Sequence, residues 1–278
     1  MDQEKNLDET EDITSWNYAQ VWDKFPVPAR PTKKEIEYLE KEIRDKMSDP
    51  SKAELLILGS TIEYRFLCKR LRIVPNVTDY VKENYDILSQ YSKEKFPDEH
   101  FMEVDWLKIN EKEKYDFILG HRIFNCVPHN RVGDMFKIMH DALKPGGTYF
   151  CKGNVRFKGE ENRLEEIREK WAFKEDRQYP LFSYLEVELY MHCAKENGYV
   201  DYPKARKVIN DWHENGKISE EDYKLARILI SMPDDSLFRS ATKEELDPLI
   251  AQTGFKNVEW IVMDEDICSN MPIIKLTK

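Results

Sequence analysis

The feature that most constrains the fold is an alternation of short apolar segments with amphipathic ones, from Glu54 to Lys152. The apolar segments predict β-strands, and the amphipathic segments between them predict helices. Such an alternation is typical of βαβ units in a mostly parallel, doubly wound, Rossmann-like sheet of the α/β class. The ligand crevice is then expected outside the carboxyl ends of the strands. The predicted strands are Glu54–Leu58, Ile73–Val77, Phe101–Val104, Tyr115–Gly120 and Thr148–Lys152.

The alternation stops after the fifth strand and resumes near the C-terminus. Residues 154–236 predict several helices and no strand, which favours a helical insertion or lid. A capping box begins the returning helix, and two further strands end the sequence. The core is therefore predicted to comprise residues 51–153 and 237–278. The elements of the returning segment are the capping box Thr242-x-x-Glu245 and the strands Val258–Met263 and Pro272–Leu276.

The first fifty residues divide into a lead, an aromatic segment and a helix. Residues 1–12 are acidic with little to bury, which predicts a disordered lead. Residues 13–50 contain Trp16 and Trp22, and then a capping box at Thr32 that predicts a helix. The aromatic segment either braces the back of the main domain or forms a flap over a ligand, and both interpretations stay open.

Composition narrows the class of protein. The 278 residues include 53 Asp and Glu against 43 Lys and Arg, a formal net charge of −10, which argues against a nucleic-acid partner. The longest apolar runs fall far short of the roughly 20 residues that span a membrane. The acidic start lacks the features of a secretory signal. The five cysteines show no CxxC spacing, and no histidine spacing indicates a metal site, so we expect reduced thiols in a cytoplasmic, metal-free protein.

The turn after the first strand is the first candidate site. Gly59 allows a ligand to approach the backbone, and the helix that follows offers free N–H groups at its N-terminus. Ser60 and Thr61 add hydroxyl groups there. The sequence is neither GxGxxG nor a phosphate-binding loop, and Glu63 would place a carboxylate beside a phosphate. A plain strand-to-helix turn is the alternative interpretation.

Acidic residues follow the next two strands. Asp79 could accept hydrogen bonds from both ribose hydroxyls of an adenosine. Asp105 could accept the exocyclic amine of adenine, with Trp106 close to the ring. Each carboxylate would equally serve as a helix cap. Taken with the glycine turn, the two acids suit an adenosine that carries no phosphate chain.

These motifs resemble those of the class I S-adenosylmethionine-dependent methyltransferases. The resemblance covers about residues 53–152 and 242–276, and LGST-x-E is similar to a subgroup in which small hydroxyl residues replace the usual glycine-rich loop. It rests on the segments LLILGSTIEYR, VTDY, MEVDWLKI, YDFILGHRIFN and ALKPGGTYF. The closing segments GFKNVEWIV and MPIIKLTK fit that family's antiparallel last strand, which NAD-binding Rossmann domains lack. The cofactor-binding residues that the resemblance implies are Gly59, Ser60, Thr61, Glu63, Asp79, Asp105, Trp106 and Gly120.

The resemblance also suggests where an acceptor would bind. His121 follows Gly120 where the family places residues that face cofactor or acceptor, so it is the candidate general base, although a structural histidine is the favoured interpretation. Trp16, Trp22 and Tyr184 are the candidate substrate-binding residues, with lid core as the alternative for an aromatic stripe.

The function predicted from these features is methyl transfer from S-adenosylmethionine to a small organic acceptor. Within the same class, the acceptor could instead be a protein or an RNA. A different class is a degenerate, non-catalytic module that binds the cofactor or a partner. A third reading is a nucleotide-sugar or NAD enzyme, against which the absent GxGxxG and the antiparallel last strand count.

Overall fold

The strands of a computed structural model, which describes residues 18–91, 98–159, 161–264, 267 and 269–278, form one seven-stranded sheet. The strand order is β3-β2-β1-β4-β5-β9-β8, and β9 runs opposite to the other six strands. The predicted fold class, a doubly wound and mostly parallel sheet with an antiparallel last strand, is confirmed. The strands of this sheet are β1 (Leu55–Leu58), β2 (Asn76–Asp79), β3 (His100–Glu103), β4 (Tyr115–His121), β5 (Leu143–Lys152), β8 (Asn257–Ile261) and β9 (Ile273–Thr277).

Helices cover both faces of the sheet because each strand in its centre carries apolar side chains on both faces. One face packs against α1 (Lys33–Lys46), α2 (Ile62–Leu71) and α3 (Lys82–Gln90). The other packs against α4 (Ile123–Cys126), α5 (Val132–Ala142) and α10 (Lys243–Ala251). Both predicted capping boxes form, at the N-termini of α1 and α10.

The insertion forms a second hydrophobic core above the carboxyl ends of the strands. Its helices pack on one another and on the N-terminal 3-10 helix Tyr18–Lys24 through Ala19 and Trp22. Ile62, in the first turn of α2, joins the same core. The N-terminal segment therefore lies over the carboxyl edge of the sheet. The helices of the insertion are α6 (Leu164–Trp171), α7 (Leu181–His192), α8 (Tyr202–Glu214) and α9 (Glu220–Leu229).

Three expectations about strands were wrong in detail, and one of them is the start of β5, which begins at Leu143 rather than Thr148. Residues 154–236 contain a short strand, β6 (Val155–Arg156), which pairs in parallel with β7 (Ala241–Thr242). A strand of two residues shows no periodicity, so only its tertiary partner reveals it. The second strand begins at Asn76 rather than Ile73, because the Ile73 amide donates to Cys68 O and ends α2.

The register brings the predicted ligand-binding positions to one edge. Leu58 pairs with Thr78 of β2 on one side and with Gly120 of β4 on the other. From β1 the chain adds β2 and β3 on one side of the sheet, and then β4 and β5 on the other side. β1 and β4 therefore flank the switch point of the sheet, where doubly wound folds bind their ligands. Within the described part of the chain, no helix is long and apolar enough to cross a membrane.

Candidate cofactor crevice

The turn after β1 requires a glycine because of its backbone conformation. Gly59 has φ +77°, in the left-handed region that residues with a Cβ adopt rarely, and its amide donates to Thr78 O over 2.7 Å. A Cβ on Gly59 would lie 3.9 Å from Cζ2 of Trp106 and 3.6 Å from Cδ1 of Ile123. The predicted cofactor turn and Trp106 are thus neighbours.

Gly120 has little space for a side chain. A Cβ on Gly120 would lie 3.0 Å from the hydroxyl oxygen of Tyr149 and 3.1 Å from Cγ1 of Ile123. Because Gly120 is paired with Leu58 and Ile123 contacts both glycine positions, Gly59 and Gly120 line the same small region of the carboxyl edge. The structure therefore brings these two candidates together.

Asp79 is tied to the cofactor turn by direct hydrogen bonds. Its Oδ2 accepts the Ser60 amide at 3.0 Å and the Ser60 hydroxyl at 2.7 Å. Its Oδ1 accepts the Val81 amide and the Asn84 side-chain amide, each at 3.3 Å. The carboxylate is buried, and each of its two oxygens accepts two hydrogen bonds. A ribose that binds Asp79 must take the place of one of these donors.

Asp105 has a local role in this structure. Its Oδ1 accepts the Leu107 amide at 3.0 Å and so caps the 3-10 helix Trp106–Lys108. Trp106 is half-buried, and its Nε1 is buried without a hydrogen-bond partner among the described residues. Trp106 therefore offers an unused donor beside Gly59, whereas the Asp105 carboxylate serves as the cap that the alternative interpretation expected.

Glu63 lies in the first turn of α2 under the N-terminal segment. Its Oε1 accepts the Trp22 indole N–H at 3.3 Å and lies 3.8 Å from Nη1 of Arg30. Its Oε2 is buried and has no partner within the described chain. Burial raises the pKa of Glu63 to about 7, against the lowering effects of Arg30 and Trp22. Thr61 is the N-cap residue of α2, and its side chain makes no cap hydrogen bond. The start of α2 therefore carries both the Thr61 hydroxyl and the Glu63 carboxyl, of which one oxygen has no partner among the described residues.

His121 faces away from the cofactor turn, towards α1 and α2. Its Nε2 lies 3.0 Å from the Ala29 carbonyl oxygen, so in the neutral ring Nε2 carries the proton and donates. Its Nδ1 is buried 4.0 Å from Oε1 of Glu35. Burial, with Lys152 and Arg122 nearby, holds the pKa of His121 well below 6.5. These contacts suit a structural histidine, and the catalytic role of His121 stays a prediction.

A buried ion pair beside His121 has no signal in the sequence. Lys152 Nζ donates to Oε2 of Glu35 at 2.6 Å, and the hydroxyl of Tyr64 donates to Oε1 at 2.7 Å. From the sequence alone, Glu35 is only the glutamate three positions after Thr32 in the capping box of α1. Glu35 also pairs with a lysine 117 positions away, and this contact depends on how α1 packs on β5.

Arg122 is a second functional candidate that the sequence does not reveal. It has φ +60°, an uncommon conformation for a residue with a side chain, and such strain is concentrated at functional sites. Its guanidinium makes two 2.8 Å hydrogen bonds to the Glu186 carboxylate on α7 and a third, of 3.4 Å, to the sulfur of Met271. Arg122 thus joins the carboxyl end of β4 to the insertion.

The candidate substrate-binding residues lie in different places. Trp22 is buried above the crevice and bonded to Glu63. Tyr184 stacks on Trp171 with ring centroids 4.5 Å apart, within a cavity between α6 and α7. Trp16 lies outside the described residues. The structure therefore brings Trp22 to the cofactor turn, and it does not place Tyr184 there.

Solved structures resemble the chain as a whole at low sequence identity. A candidate O-methyltransferase of Nostoc punctiforme matches at 8% identity with a TM-score of 0.51, over 87% of this chain but only 56% of its own. Magnesium protoporphyrin IX methyltransferase of Synechocystis matches at 8% with a TM-score of 0.50, over 88% and 82%. The chain has the Rossmann-like fold of these methyltransferases. A candidate zinc-dependent alcohol dehydrogenase of Rhodobacter sphaeroides also matches, at 13% and 0.57, over 94% of each chain.

Fold similarity at this identity does not choose between methyl transfer and redox chemistry. No protein-family model matches the sequence, and no curated protein matches it. Among the described residues, no group of three or more His, Cys, Asp or Glu could hold a metal ion. The choice of cofactor therefore rests on the side chains of the crevice.

Proposed function

We propose that this protein binds S-adenosylmethionine at the turn after β1 and transfers its methyl group to a small organic acceptor. Gly59, Ser60, Thr61 and Asp79 would hold the cofactor, with Trp106 and Gly120 beside them. The observation that carries the proposal is the Glu63 carboxyl, buried at the N-terminus of α2 with one oxygen unpartnered in the described chain.

Glu63 distinguishes the two cofactor classes by charge. In dinucleotide-binding sheets the pyrophosphate binds at the N-terminus of the helix that follows β1. A carboxylate in that first turn repels a pyrophosphate. S-adenosylmethionine has no phosphate and carries a sulfonium and an α-ammonium group, and an ammonium gives a buried carboxylate a charge-assisted partner. Glu63 would therefore accept a hydrogen bond from the α-ammonium group. The negative charge of Glu63 argues against an NAD enzyme.

Methyl transfer requires no covalent bond between the protein and the methyl group, because the sulfonium is already an activated methyl donor. The acceptor atom attacks the methyl carbon, the bond from carbon to sulfur breaks, and S-adenosylhomocysteine leaves with the electron pair on sulfur. The protein aligns the three atoms and excludes water. An acceptor that loses a proton needs a base. Because Nε2 of His121 carries the proton that the Ala29 carbonyl accepts, its basic nitrogen is Nδ1, which is buried beside Glu35, and His121 would serve as that base only if its ring turned so that Nδ1 faced the acceptor.

The N-terminal segment and the insertion, residues 154–236, would form the cap over the acceptor. Trp22 packs in the insertion core and bonds Glu63, so it links cap and cofactor turn. Arg122 bonds α7 from the core side through Glu186. A crevice covered from two sides suits a small acceptor better than a protein or RNA surface, and the acidic charge also disfavours RNA.

Calorimetric titration of the full chain with S-adenosylmethionine, S-adenosylhomocysteine and NAD⁺ tests the cofactor. We expect micromolar binding of the first two and none of NAD⁺. NAD⁺ binding without binding of S-adenosylmethionine would establish the dinucleotide reading, and binding of neither by folded protein would favour a non-catalytic scaffold.

The variant Glu63→Gln tests the carboxylate itself. It should weaken S-adenosylhomocysteine binding by about tenfold or more, because a charge-assisted hydrogen bond is lost. The matched ligand is 5′-methylthioadenosine, which lacks the amino-acid end and should bind the wild type and the variant equally. An equal loss for both ligands would contradict the role of Glu63 at the α-ammonium group.

A further inference from the structure

A cavity of about 270 Å³ lies between α6, α7 and the described residues 262–264, 267, 269 and 270 that follow β8. Ser183, Tyr184 and Val187 line it from α7, whereas Glu186 on the same helix bonds Arg122 at the carboxyl end of β4. On a helix, positions 183, 187 and 184 span an arc of about 100°, and position 186 lies about 60° outside it, next to position 183. The cavity therefore opens on a part of α7 beside the one from which Glu186 bonds Arg122.

Two side chains that line this cavity each have one polar atom without a hydrogen-bond partner among the described residues. Ser183 is 3% exposed and Asn270 is 6% exposed, and both line the cavity. The Ser183 hydroxyl and Oδ1 of Asn270 have no hydrogen-bond partner among the described residues. Nδ2 of Asn270 donates to the Glu188 carboxylate at 3.1 Å, which fixes the amide so that its oxygen is the free atom. An unsatisfied buried polar group costs about 1–3 kcal/mol, so a ligand that bonds both groups recovers that loss.

One part of the remaining lining is aromatic and aliphatic, and Arg163, Lys170, Glu188 and Asp264 add charged side chains to the rest. The rings of Trp171 and Tyr184 stack with centroids 4.5 Å apart and planes 5° apart, and Ile167 and Val187 complete the wall. Lys170 lies at the rim, with Nζ 5.1 Å from the centre of the Trp171 ring. An apolar cavity of about 150 Å³ accepts benzene, so this one has room for a bicyclic ring.

We propose that this cavity is a second small-molecule site, for a planar bicyclic aromatic or heteroaromatic compound that carries an N–H or O–H donor on its edge. The donor bonds Oδ1 of Asn270, the Ser183 hydroxyl bonds a polar atom of the same edge, and the ring packs on the aromatic wall. The site is independent of the proposed methyl transfer and needs no cofactor to be bound.

Indole and 1-benzothiophene are the matched probes, since the two have nearly the same shape and only indole has an N–H. Ligand-observed NMR on the full chain, without cofactor, should show saturable binding of indole and at least about tenfold weaker binding of benzothiophene. Equal binding would mean that the two polar groups recognise nothing, and would overturn the proposal.

The variant Val187→Phe fills the cavity without removing a polar group, and it should lower indole affinity at least about tenfold. Its control is Val258→Phe, the same change at an exposed valine of β8 outside the cavity, which should leave indole binding unchanged. If Val187→Phe unfolds, Ser183→Ala supplies the test and should reduce the preference for indole over benzothiophene. Absence of indole binding, or binding that Val187→Phe does not alter in folded protein, would overturn the proposal.

Discussion

The ammonium nitrogen of Lys152 lies 2.6 Å from a carboxylate oxygen of Glu35, and both side chains are almost wholly removed from water. This ion pair fastens α1, and with it the N-terminal segment, to the carboxyl end of β5. Tyr64 adds a 2.7 Å hydrogen bond to the other oxygen of Glu35. Burial makes each charge costly without the other, so the two side chains depend on each other.

Lys152→Met should lower the free energy of unfolding by about 3–5 kcal/mol, because it leaves the Glu35 carboxylate buried without a cation. The double variant Glu35→Gln/Lys152→Met should lose much less than the sum of the single variants, since both charges are gone. Urea denaturation of the four proteins measures the coupling. Additive losses would show that the two side chains do not depend on each other.

Asp79→Ala should weaken S-adenosylhomocysteine binding at least about tenfold, through loss of the ribose hydrogen bonds. The matched control is Asn84→Ala, which removes one donor to Asp79 and keeps the carboxylate. Calorimetry on both variants distinguishes the affinity lost with the carboxylate from the affinity lost with one of its hydrogen-bond donors. Unchanged affinity in Asp79→Ala would remove Asp79 from the cofactor site.

The raised pKa of Glu63 predicts a pH dependence of stability. The unfolded carboxyl loses its proton near pH 4.5, whereas the folded one keeps it to about pH 7. The folded state therefore binds more protons over this window, and the free energy of unfolding should fall by about 1–3 kcal/mol as pH rises through it. Glu63→Gln should lack this component. Urea denaturation at several pH values measures it, and identical profiles for wild type and variant would contradict the shift.

The lowered pKa of His121 predicts a loss of stability in acid. The unfolded imidazole takes up a proton below about pH 6.5, and the folded ring stays neutral. The unfolded state then binds more protons, so each pH unit below 6.5 should cost up to about 1.4 kcal/mol. His121→Asn, whose side-chain amide can still donate to the Ala29 carbonyl, should lose less between pH 7.5 and 5.5 in the same denaturation experiment. A larger acid loss in the variant would refute the assignment.

Local signals predicted most of the fold because they depend on neighbours in sequence. The capping boxes at Thr32 and Thr242 each require a residue three positions away, and both form. The apolar runs of the central strands reflect burial on both faces, which any parallel sheet imposes. The weak points were the short pair β6 and β7 and the start of β2, where tertiary pairing and a helix end determine the outcome.

The sequence by itself determined the doubly wound sheet, the position of the turn after β1 and the acids at the carboxyl ends of β2 and β3, because strand ends and helix starts are encoded locally. Only the tertiary structure decided what those side chains do. It ties Asp79 to Ser60, buries Glu63 beneath Trp22, turns His121 towards Glu35 and separates Tyr184 from the crevice. Each of these outcomes depends on burial and on a partner from a distant segment, and neither is a property of a residue's neighbours in the chain.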